Sequence, residues 1–164
     1  MLLINILGIA FQGNAQNYQL HAVFMYSFMK YIQWPSNADN FTITVLGSES
    51  EIIPHLKSMS EEKTLNGRAI QLKVTDSPIE IGPSDIVFLS RKWSEQENIV
   101  ESWALKAREE KFLLLTDQAP AKGTSHINFI EENKKLLFEL NRKRIELAGL
   151  RVSTELLALA KIVE

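Results

Sequence analysis

The sequence predicts an α/β fold: a three-layer, Rossmann-like sandwich with a mixed, mostly parallel sheet and a C-terminal hairpin. Three observations carry this. Helical apolar patterns alternate with short strand-like runs between residues 18 and 116. The run 85–90, DIVFLS, is apolar almost throughout, as a strand covered on both faces requires. Two further runs, 126–130 and 135–140, flank the polar EENK at 131–134 and read as a hairpin. The 164 residues, 45% hydrophobic and 23% charged, suit one globular domain. A formal net charge of −2 lacks the electrostatic footprint of a nucleic-acid binder, so no nucleic-acid partner is expected. The absence of cysteine excludes disulfides, thiol catalysis and thiolate metal sites.

Residues 2–11 form an apolar run too short to cross a bilayer, which needs roughly 20 residues. Gly13 and Ala15 follow at the −3 and −1 positions of a cleavage site, so residues 1–15 are expected to be a signal peptide. Its basic n-region is missing, because the first Lys or Arg is Lys30; a start codon further upstream would supply it. The mature chain, residues 16–164, is then a single domain.

In that chain Tyr18 to Trp34 predicts a largely buried helix, with Leu20, Val23, Phe24, Phe28, Tyr31 and Ile32 as its stripe. Pro35 disfavours helical geometry at Trp34 and ends it. Phe41 to Leu46 alternates as a strand, and Ser48 with Glu51 fits a capping box for a helix through Met59. Asn66-Gly67 marks a turn before a strand at Ala69 to Thr75. Ser94 with Glu97 fits a second capping box, for a helix carrying Ile99, Val100, Trp103, Ala104 and Ala107 inward. A strand at Phe112 to Thr116 precedes the hairpin. Asn141 to Ala148 predicts a helix ended by Gly149, and Ser153 caps a last helix that turns Leu156, Leu157, Leu159 and Ala160 to the core.

Sheets of this kind place ligands beyond the carboxyl ends of their strands, which here carry Gly47 and Ser48, Ser90 and Arg91, and Asp117 and Gln118. No nucleophile elbow, phosphate loop or dinucleotide fingerprint is present, so an enzyme is not expected; a hydrolase rests only on strand-end Ser48, Ser90 and Asp117. His21, Met25 and Met29 share one helix face that would suit copper(I), but a core helix filled by flexible Met is the favoured account. His55 and His126 stand apart, so no metal site or cofactor is expected. Asn128 and Asn141 fall on apolar strand patterns, where a buried amide must be hydrogen-bonded, to a loop backbone or to a ligand. Glu139 is expected to pair with Arg151 or Arg142. Arg151 and Ser153 would alternatively receive an anion at the last helix. Trp34 and Pro35 are either a partner-interface anchor or a staple of the helix end.

Three stretches together resemble one family. They are 22–35 (AVFMYSFMKYIQWP), 43–47 (ITVLG), and the ending formed by 127–130 (INFI), 137–141 (LFELN) and 148–160 (AGLRVSTELLALA). They are similar to the opening, middle and closing motifs of the YfiR/HmsC-like periplasmic proteins. The resemblance implies a non-enzymatic regulator in the periplasm of a Gram-negative cell. Its members repress an inner-membrane diguanylate cyclase through that enzyme's periplasmic domain, lowering cyclic di-GMP and biofilm, or accompany sensor kinases. A homodimer is a further expectation. Well-known members carry disulfides, and this sequence, without cysteine, departs from them. The competing expectation is a small-ligand-binding periplasmic sensor coupled to a histidine kinase.

Overall fold

A computed structural model describes residues 14–164. Residues 1–13 of the expected signal peptide lie outside the described residues, and Ala15 falls in the first turn of the first helix. The elements run α1 (Asn14–Tyr31), β1 (Ile32–Gln33), β2 (Asn40–Leu46), α2 (Ile53–Glu62), β3 (Thr64–Leu65), β4 (Arg68–Thr75), β5 (Ile86–Leu89), α3 (Arg91–Ser94), α4 (Glu97–Glu110) and β6 (Leu113–Asp117). Then come β7 (Ile127–Glu132), β8 (Lys135–Leu140), α5 (Arg142–Leu147), β9 (Arg151–Val152), α6 (Thr154–Leu159) and β10 (Lys161–Ile162).

Eight strands form one sheet in the order β10-β8-β7-β6-β5-β2-β4-β3. The neighbours β4, β2, β5, β6 and β7 are parallel; β8 returns antiparallel to β7, and β3 antiparallel to β4. The hairpin turn at Asn133 and Lys134 takes positive φ at both residues, which matches the twist of its strands. Strands β5 and β6 are buried along their whole length, because both faces are covered. On one face Phe41, Ile43, Phe88 and Phe129 meet Met25, Phe28 and Met29 of α1 and Leu56 of α2. On the other, Val87, Leu89 and Leu114 meet Val100, Trp103, Ala104 and Ala107 of α4. Phe28 sits edge-on to Phe138 at 4.9 Å between ring centroids and stacks near Phe129 at 5.8 Å, so α1 is locked to the sheet by aromatic packing. This is the three-layer, mostly parallel α/β architecture that the sequence implies.

Several local expectations need correction. The first helix ends at Tyr31, three residues early, because Ile32 and Gln33 pair with Val152 and Arg151 as a short strand. Its buried face is Ala22, Met25, Phe28 and Met29, whereas Val23 is 56% exposed and Tyr31 also faces solvent. Neither capping box forms. The Ser48 hydroxyl turns to Asp76, and α2 starts instead with Pro54 in its first turn, where a missing N–H costs nothing. Ser94 closes α3 rather than opening α4, and its hydroxyl donates to the Leu89 carbonyl. Asn141 opens α5 as its N-cap, as the helix read from 141 to 148 implies, and does not continue the apolar strand before it. On α6 only Leu156 is fully buried, and Leu159 is 64% exposed.

Where the chain leaves β2, Gly47 takes φ +116, a conformation open to glycine alone. A Cβ built there would lie 2.7 Å from the Ser90 Cβ, at the end of the neighbouring strand. Gly47→Ala is therefore expected to lower stability by at least about 1 to 3 kcal/mol from backbone strain alone. Chemical denaturation checks this: the midpoint should fall with an unchanged slope.

Candidate functional site

From β2 the chain crosses to β4 on one side and then returns to β5 on the other, so the loops after β2 and β5 diverge. A crevice opens at such a switch point. Here it has a volume of about 380 Å³ and is lined by Tyr18, Glu49, Glu51, Ser90, Arg91 and Lys92, among others. Beneath it lies Asp117, the last residue of β6, which is 1% exposed.

Three side chains converge on that carboxylate from two elements, α1 and α3. The Tyr18 hydroxyl donates to Oδ2 at 2.7 Å. His21 Nε2 and an Arg91 terminal nitrogen stand 3.7 and 3.8 Å from Oδ1. The Asp117 N–H itself donates to the Ser94 hydroxyl at 2.9 Å. Tyr18 and His21 are three apart on α1 and so share a face; their rings stack at 4.8 Å, and His21 leans on Phe129 at 4.4 Å. Burial works to raise the Asp117 pKa, but His21 close by, the Tyr18 hydrogen bond and the Arg91 charge together hold it below the ordinary carboxylate value. Burial and the Asp117 charge together push the Tyr18 phenol well above its usual range, so it remains a donor. Asp117 is thus a buried anion, and Tyr18 and Arg91 link it to the crevice.

The serines around this edge have other commitments. Ser90 donates its hydroxyl to Glu49, and Ser94 to the Leu89 carbonyl. Ser48 donates both its N–H, at 2.8 Å, and its hydroxyl, at 2.6 Å, to Asp76, and these bonds hold the Asp76 carboxyl below its ordinary pKa. A hydroxyl has one proton to give, and each of these gives it to a carboxylate or a carbonyl rather than to an imidazole. The arrangement is suited to holding charge and polar groups in fixed positions.

Asn128 and Asn141 bond loop backbone. Asn128 Oδ1 accepts from the Thr116 hydroxyl at 2.8 Å and the Ala119 N–H at 2.9 Å, while Nδ2 donates to the Ala119 carbonyl at 3.1 Å and to Glu139 at 3.2 Å. Asn141 accepts from the Arg144 N–H at 3.0 Å and donates to the Gly123 carbonyl at 2.9 Å. The two amides pin the loop between β6 and β7 at Ala119 and at Gly123. Glu139 does not pair with Arg151 or Arg142: its partners are Asn128 and, at 4.0 Å, Lys122, while Arg142 binds Glu146 at 2.7 Å. Arg151 is exposed on β9, and the Ser153 hydroxyl accepts the Leu156 N–H at 3.3 Å as the cap of α6. The Trp34 indole N–H donates to the Met29 carbonyl at 2.9 Å, and the ring meets Phe41 edge-on at 4.8 Å, which staples the end of α1; Pro35 is exposed. Met25 and Met29 are core residues, and among the described residues no cluster of His, Cys, Asp and Glu has the makings of a metal site.

Sequence reasoning named Ser90, Arg91 and Asp117 through their strand-end positions but missed Tyr18, Glu49 and Ser94 as parts of one network. The available signal was a charged residue closing an apolar strand, which must find partners nearby.

The family model described as YfiR/HmsC-like matches residues 18–161. The chain belongs to the YfiR/HmsC-like family, a family of periplasmic regulatory proteins that work through protein partners. A search of curated proteins found no match.

The depressed Asp117 pKa sets a pH dependence. A carboxyl whose folded pKa lies below its unfolded value of about 3.9 contributes stability above that value and loses it as pH falls through the folded pKa. Tyr18→Phe removes one hydrogen bond to the ion and so raises the folded pKa. It should cost about 1.5 to 3 kcal/mol near neutrality and move acid unfolding, followed by circular dichroism, to higher pH. Asn128→Ala and Asn141→Ala should each cost about 1 to 3 kcal/mol in chemical denaturation, since each strands buried partners.

Proposed function

We propose that this protein is a periplasmic repressor that binds the periplasmic domain of an inner-membrane signalling enzyme, a diguanylate cyclase, and so lowers cyclic di-GMP and restrains biofilm. It acts by stoichiometric contact and catalyses no reaction. The observation that carries this reading is the family match across nearly the whole chain. The commitment of the strand-end serines to carboxylates and a carbonyl supports a role without turnover. Export follows, with cleavage after Ala15, and Pro35 beside the stapled Trp34 is part of the surface offered to the partner.

A repressor needs only to prefer one state of its partner, and a tenfold preference corresponds to about 1.4 kcal/mol. That is within reach of one well-packed anchor at an interface. A second reading, a ligand-binding sensor that reports to a histidine kinase, is favoured by one observation: the crevice at the switch point, where Arg91 and Tyr18 stand over a buried anion.

Deleting the gene should raise cyclic di-GMP, and purified mature protein added to spheroplasts should restore the low state in proportion to its occupancy of the partner. Unchanged signalling on deletion, or suppression by amounts far below the partner's abundance, contradicts the proposal. Intact mass of the periplasmic protein should correspond to a chain starting at Gln16.

A further inference from the structure

A second cavity, of about 320 Å³, lies between α4 and α5 beside the start of β7. Leu105, Arg108, His126, Lys143, Arg144 and Leu147 form most of its wall. The ion pairs of these two helices are made by other residues, Lys106 with Glu110 and Arg142 with Glu146. Arg108, Lys143 and Arg144 have no carboxylate partner among the described residues, although Glu164 also borders the cavity.

His126 makes this more than a basic surface. It is 2% exposed, and its Nδ1 accepts the Leu114 N–H at 3.0 Å, so the proton of the neutral ring must sit on Nε2. Burial, helped by the Arg144 charge, pushes its pKa down to about 3, which keeps the ring neutral in any physiological medium. The Nε2–H has no acceptor among the described residues, and the residue lines the cavity. The ring is buried while its Nε2–H reaches the cavity, so an occupant that accepts there would take the place of water. The neighbouring Asn141 amide is already committed to Arg144 N–H and the Gly123 carbonyl. Apolar surface completes the wall, with Leu105 61% and Leu147 50% exposed.

We propose that this cavity binds a small amphiphilic anion, its carboxylate or phosphate head held by Arg108, Lys143, Arg144 and the His126 Nε2–H and its apolar body against Leu105 and Leu147. The volume falls within the range of small-molecule sites, roughly 300 to 1,000 Å³. The guanidinium groups suit a planar or tetrahedral oxyanion, since each presents paired donors. The site is separate from the crevice over Asp117, so the proposal does not depend on which of the two functional readings holds.

The test is a titration of the mature protein with octanoate and with octyl phosphate, followed by the His126 imidazole nitrogen and the Leu105 and Leu147 methyl resonances in NMR. At least one of the two anions should give saturable shifts at all three residues, and which one does so identifies the head group. The Arg108→Ala/Arg144→Ala double variant should bind at least tenfold more weakly. Lys143→Glu, an exposed change that leaves the helix cap intact, should weaken binding too, whereas Arg91→Ala should leave it unchanged. Non-saturating shifts with both probes would overturn the proposal, as would equal binding of octyl glucoside, which means an apolar patch only. Equal binding of inorganic phosphate, an adventitious ion only, would also overturn it. His126 itself is left in place because its ring satisfies the Leu114 amide.

Discussion

A carboxylate sealed inside a protein must either find partners or give up its charge, and Asp117 finds partners. It ends the central strand β6, buried on both faces, where ordinary solvation is out of reach. Tyr18 and His21 reach it from α1, on one face of the sheet, and Arg91 from the short helix after β5, while Ser94 takes its backbone N–H. One ion thereby ties α1 and α3 to the end of the central strand. Losing a single partner would leave a charge in the interior poorly compensated, a cost that exceeds the value of an ordinary surface pair. The crevice depends on this tie, since Tyr18 and Arg91 are at once partners of Asp117 and part of its wall.

A second polar network holds the other half of the sheet. Asn128 uses both ends of its amide, joining Thr116 on β6, both backbone groups of Ala119, and Glu139 on β8. Asn141 fastens Gly123 while capping α5. These residues belong to the motifs that most resemble the YfiR/HmsC-like proteins, the INF and FELN stretches. Their conformational work is local: they hold a loop of irregular backbone against the sheet. Surfaces for partners and ligands must therefore be sought beyond these motifs, on exposed helix faces and loop ends, where side chains are not consumed by the scaffold.

The alternation of apolar helices with β5-like runs made the layered sheet legible, because burial on both faces leaves a composition that tolerates little else. Asn141 and Ser153 were legible as points where helices begin, and the polar EENK as a hairpin turn. What escaped was set by contacts distant in sequence. Ser48 and Ser94 each stand three residues before a glutamate, yet Asp76 and the Leu89 carbonyl, brought close by the fold, outcompete the local cap. Ile32 and Gln33 leave the helix because β9, more than a hundred residues later, offers a ladder. The Asp117 network was half legible: strand ends marked the carboxylate and Arg91, but Tyr18 could be placed beside it only once α1 had been laid across the sheet.

The tie between α1, α3 and the strand ends requires Asp117 to be ionised in the folded interior. Its carboxyl carbon resonance, followed by NMR through an acid titration of the folded protein, tests that directly. The carboxylate shift should persist below pH of about 3.9, the ordinary value for the side chain, while exposed carboxyls titrate there. A resonance that moves to the protonated form above that value, with the fold intact, would show that burial outweighs the partners and would contradict the account.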